Sequence, residues 1–91
     1  MGTKTDPGRF DCYEAALPDE PLFVLLARDA TAPSTVRAWV AARLEIPTTL
    51  PHGPLRKLIA GLNPALHPDR DQLLEALDCA DAMERWRAEE R

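Results

Sequence analysis

The longest unbroken apolar run of the chain is Leu22-Phe23-Val24-Leu25-Leu26-Ala27, and it stops abruptly on Arg28 and Asp29. A continuous run of this length has no period, so pattern alone does not separate strand from helix. Leu and Ala suit a helix, and Asp19 with Pro21 would start one. Phe23 and Val24 suit a strand, and the run is short. Turn signals bracket it, Pro18-Asp19-Glu20-Pro21 before and Asp29-Ala30-Thr31-Ala32-Pro33 after. The reading preferred for residues 22–28 is a strand. Upstream, Phe10, Cys12 and Glu14 alternate with Asp11 and Tyr13, a period of two. Residues 9–15 are therefore the natural partner of the run in a β-hairpin.

Downstream the pattern turns helical. Val36, Trp39, Val40 and Leu44 recur at i, i+3, i+4 and i+8, which predicts a helix over about 32–46. Thr31 is its expected N-cap, Pro33 suits its first turn and Pro47 ends it. Residues 46–54 form a proline-rich linker. Leu55, Leu58, Ile59 and Leu62 predict a short helix over about 54–61, with Gly61 at its end. Asn63-Pro64 and His67-Pro68 interrupt the chain again. Asp69 and Gln72 read as a capping box ahead of Leu73, Ala76, Leu77, Ala80, Met83 and Trp86, a helix over about 70–89. The expected fold is α+β and mostly helical, a short N-terminal β-hairpin followed by three helices. Residues 1–8 read as a flexible tail and 9–91 as one small domain.

Composition narrows the function. An apolar fraction of 45% over 91 residues is ordinary for a globular chain. The net charge is −4 with both signs interspersed, so the footprint of a long nucleic acid is missing. Two distant cysteines, no apolar leader and no run long enough to span a bilayer predict a protein of the cytoplasm that does not enter membranes.

Catalytic chemistry finds little footing. Cys12, His52, His67 and Cys79 never fall at paired metal-ligand spacing, so no metal or other cofactor is expected. The single serine, Ser34, sits where a capping role suffices, and the four glycines make no phosphate loop. No catalytic residue is assigned and an enzyme is not expected. A binding site has better support. Arg28 and Asp29 end the apolar run close to the start of the next helix, where free N–H groups and the dipole favour anions. Arg37 would add a second guanidinium, and Tyr13 or Trp39 a stacking face. Arg28, Asp29, Arg37, Tyr13 and Trp39 are the candidate ligand-binding residues. The plainer alternative is that Arg28 and Asp29 close the fold, Arg37 is solvated and Trp39 belongs to the core.

Two resemblances follow from the motifs. His67-Pro68-Asp69 resembles the signature of J-domain co-chaperones, although Asn63-Pro64 interrupts the helix that precedes it there and only Arg56 and Lys57 supply positive charge. The series Asp19-Glu20-Pro21-Leu22-Phe23-Val24-Leu25-Leu26-Ala27-Arg28-Asp29, then Ala32-Pro33, Val36-Arg37 and Trp39, is similar to a group of small phage and prophage proteins. Ala82-Met83-Glu84-Arg85-Trp86 continues that likeness, and residues 46–66 lie outside it.

The phage resemblance implies a non-enzymatic binding protein in the host cytoplasm that inhibits antiviral defence. It would sequester a nucleotide-type signalling molecule or bind a host defence protein. The alternatives are a phage structural or assembly accessory and, on His67-Pro68-Asp69, a co-chaperone. Homo-oligomerisation is also expected, because a lone hairpin is marginal in water and leaves an open edge.

Overall fold

In the computed structural model, which describes residues 1–89, four helices follow one another: α1 (Cys12–Ala15), α2 (Ala32–Arg43), α3 (His52–Ala60) and α4 (Arg70–Ala88). The last two residues of the expected domain, 90–91, lie outside the described residues. Helix α4 is the spine, about 28 Å long at 1.5 Å per residue, and both α2 and α3 pack on it.

The core is the meeting line of these three helices. Val40 of α2, Leu55 and Ile59 of α3, and Leu73, Ala76 and Leu77 of α4 are all buried. Spacing explains α4 well. Leu73, Ala76, Leu77, Ala80 and Met83 fall on one stripe and all five are buried. In α3 the stripe is narrower than expected, since Leu55 and Ile59 are buried and Leu58 is exposed.

The α+β expectation does not hold. Among the described residues there is no strand, and the β-hairpin is absent. Residues 9–15 are occupied in two other ways. The N–H groups of Arg9 and Phe10 donate to the Glu75 carboxylate on α4, at 2.9 and 3.0 Å. Asp11 then accepts from the Tyr13 N–H and starts the single turn of α1. Donors committed to Glu75 cannot also serve a ladder with the run at 22–28. That run is neither strand nor helix: residues 20–26 carry no regular structure, and turns resume at Ala27.

Helix ends differ in detail. Thr31 stands at the N-cap of α2, but its side chain makes no cap bond. Its N–H and hydroxyl both donate to Asp29 Oδ1, at 2.9 and 2.8 Å. Asp69 likewise caps nothing with its side chain and instead pairs with Arg43 at 3.2 Å. Helix α2 stops at Arg43, three residues before the expected 46. The N–H of Glu45 donates to the Ala42 carbonyl and that of Ile46 to the Ala41 carbonyl, both at 3.1 Å, a Schellman closure. Glu45 takes the left-handed position this closure needs, with φ 56°.

Candidate functional site

Helix α2 turns one charged side chain, Arg37, toward α4. Arg37 stands three and four positions before the buried Val40 and Ala41, so it shares their face. Its side chain is 15% exposed. It donates to Asp81 Oδ1 at 2.8 Å and to Glu84 Oε1. The second Asp81 oxygen accepts from Arg56 of α3 at 2.9 Å, and Arg56 also pairs with Asp78 at 2.8 Å. One carboxylate of α4 therefore ties both neighbouring helices. Burial raises the Asp81 pKa, and the hydrogen bonds from Arg37 and Arg56 outweigh it, so the net direction is down. Glu84 is lowered chiefly by its hydrogen bond from Arg37.

The candidate binding residues are distributed as follows. Arg28 and Asp29 precede α2. The Arg28 carbonyl accepts from Arg87 Nη1 at 2.8 Å, and the exposed Arg28 guanidinium makes no ion pair among the described residues. Asp29 is lowered below its ordinary value by hydrogen bonds from the Thr31 backbone and hydroxyl. Arg37 is committed to Asp81 and Glu84. Trp39 lies on the other flank of α2, half-exposed, with the Arg43 guanidinium 5.4 Å from its ring centroid. Tyr13, in α1, is 74% exposed. The structure thus brings Arg28 and Asp29 together at the entrance to α2, and puts Arg37 in a helix–helix junction. Asp69 of the His67-Pro68-Asp69 stretch is held by Arg43.

A different surface is more developed. Two adjoining cavities, of about 440 and 300 Å³, share Gly2, Leu25, Cys79 and Met83. Trp39, Val36 and Phe23 wall the larger one, and Trp86, Ala82 and Ala27 the smaller. Together they make an apolar trough floored by α4. Cys12 and Cys79, both free thiols, open on the larger cavity. Burial raises the pKa of Cys79, so this thiol stays protonated.

The run that lends Phe23, Leu25 and Leu26 to the trough is itself exposed and apolar. Phe23 is 86% exposed, Val24 60%, and Leu22 and Leu26 50% each. Exposed apolar side chains scattered singly are ordinary, whereas a contiguous patch beside a trough marks an interaction surface. Sequence reasoning missed Leu25, Cys79 and Met83 as a group. Cys79 and Met83 stand four apart, a signal that they share one face of α4. The packing of Leu25 against them depends on the fold of a run that has no period.

Among the described residues, no His, Cys, Asp and Glu side chains gather in threes to hold a metal ion, and no helix is long and apolar enough to cross a membrane. Comparison with family models, with curated proteins and with solved structures finds no match.

Proposed function

We propose that this chain is a non-enzymatic binding protein that acts by stoichiometric contact with a protein target, through the apolar trough on its α2–α4 face. The observation that carries this reading is the trough itself, bounded by Trp39, Met83 and Trp86 and continued by Phe23 and Leu25. Apolar lining with aromatic walls is the composition of an interface core. The resemblance of residues 19–39 to phage and prophage proteins supports a host defence protein as that target.

A second reading, sequestration of a nucleotide-type signal, is favoured by the exposed guanidinium of Arg28 beside the start of α2. It rests on Arg28 without Arg37, whose guanidinium is already taken by two carboxylates.

A plaque assay in bacteria that carry a defence system tests both. Under the first reading the expressed chain restores phage growth, and Leu25→Asp or Trp39→Arg abolishes the effect while far-UV circular dichroism stays helical. Under the second, Arg28→Ala abolishes it and native mass spectrometry with cyclic nucleotides shows a bound mass. Phage growth that the chain never alters, across a panel of defence systems, would remove both.

A further inference from the structure

All four sulfur-bearing side chains of the sequence, Met1, Cys12, Cys79 and Met83, line the larger cavity of the trough. They come from the N-terminal segment, the single turn of α1 and the second half of α4. Spacing along the chain hides this set, because Cys12 and Cys79 lie near opposite ends of it. Two of the four are thioethers, so the set makes no threefold cluster of His, Cys, Asp and Glu. Among the described residues, no histidine or carboxylate side chain lines the same cavity.

Local structure explains the gathering. Cys79 and Met83 stand one turn apart on α4, which puts their Cβ atoms about 5–6 Å apart on one face. Cys12 is brought to that face by the chain before it. The N–H groups of Arg9 and Phe10 are held by Glu75, one turn before Cys79 on α4. From Phe10 to Cys12 the chain spans at most about 7 Å, so Cys12 stays close to α4. Met1 is placed by the same carboxylate: its ammonium donates to Glu75 Oε2 at 3.1 Å and to the Phe10 carbonyl at 2.6 Å. Helix α1 buries none of its residues, so its turn can settle toward α4 without giving up packing.

We propose that this set is a binding site for a soft monovalent cation, copper(I), held by the Cys12 and Cys79 thiolates and the Met83 thioether, with Met1 as a fourth donor. Thiolate and thioether sulfur selects copper(I) among the first-row metals. Magnesium and calcium are held chiefly by carboxylates, which these walls do not offer. A structural zinc takes four thiolate or imidazole ligands, and here only two thiols are present. Loading breaks the S–H bonds of both thiols, forms the S–Cu bonds and releases both protons to water; no electron changes hands. The site lies within the trough, but it does not rest on a protein target there, since binding is read on the chain alone.

Copper(I), added without oxygen and with a reductant to the full chain, is titrated against the chromophoric chelator bathocuproine disulfonate. The chain is expected to retain one copper against the chelator and to melt at a higher temperature when loaded. Cys12→Ser and Cys79→Ser are each expected to weaken retention about a hundredfold, and Met83→Leu about tenfold. Leucine nearly matches methionine in volume, so Met83→Leu removes the thioether and keeps the packing. Its urea midpoint without copper is expected to stay that of the parent chain. A chelator that strips the parent chain completely overturns the proposal. So does retention that Cys79→Ser leaves unchanged, which would mark adventitious binding at the exposed Cys12 thiol. Retention unchanged in Met83→Leu overturns the ligand set.

Discussion

Arg56 of α3 donates to Asp81 of α4 across 2.9 Å, onto the oxygen that Arg37 of α2 leaves open. Asp81 is about a third exposed, so solvent screens each bond. Its loss nevertheless leaves two guanidinium groups without their shared partner. Asp81→Asn is expected to destabilise the fold by about 1–2 kcal/mol. Asp78→Asn, at a more exposed carboxylate paired with Arg56 alone, should cost about 0.5 kcal/mol or less. Urea denaturation of the two variants side by side checks the contrast, and equal losses would refute the shared role of Asp81.

Acid should undo the same contacts. Asp81 and Glu84 are held below their ordinary values of 3.8 and 4.5 in the folded chain. Glu75 is lowered too: burial raises it, and the donors it collects from Arg9, Phe10 and the Met1 ammonium outweigh that. A lowered folded pKa means stability that is fully present above the unfolded value and lost as pH falls through the folded one. The urea midpoint should therefore be flat down to about pH 5 and fall steadily below about pH 4.5. Asp81→Asn should flatten that fall, and an unchanged acid limb would contradict the assignment.

Helix α3 buries two side chains, Leu55 and Ile59. Ile59 is fully buried, whereas Leu58 beside it is 45% exposed. Ile59→Ala is expected to cost about 2–4 kcal/mol and Leu58→Ala about 0.5 kcal/mol or less. Thermal unfolding orders the two, and a reversed order would show that α3 is rotated.

The two thiols should differ in reactivity. Cys12 is exposed, and Cys79 is half-buried with a raised pKa. Maleimide labelling at neutral pH is expected to modify Cys12 about tenfold faster. Mass mapping of partly labelled protein reads this directly, and equal rates would mean that the trough opens freely.

Glu45 carries a cost that glycine would not. Its φ of 56° is the left-handed position at the end of α2. Glu45→Gly is expected to stabilise the fold by about 0.5–1 kcal/mol. A loss of stability in the same urea series would mean that the Glu45 side chain has a compensating contact.

Much of α4 was legible in the chain, because Leu73, Ala76, Leu77, Ala80 and Met83 keep helical spacing over three turns. Arg37 was legible in part. Its place before Val40 and Ala41 puts it on the packed face, and Asp78, Asp81 and Glu84 make a matching acidic stripe on α4. That their charges meet is a fact of tertiary packing and not of either helix alone. The caps misled for a related reason. Asp69 has cap chemistry, yet Arg43, distant in sequence, claims its carboxylate. The run at 22–26 was the least legible, since an unbroken apolar stretch has no period and its expected partner, 9–15, is held by Glu75.

The floor of the trough is also the spine of the molecule. Cys79 and Met83 line the cavities from α4, the helix on which α2 and α3 both rest. Whatever occupies that trough grips the element whose unfolding is global, so occupancy and melting temperature become one measurement. A ligand held only by Arg28, at a turn that can open locally, would leave the melting curve of the spine nearly where it was.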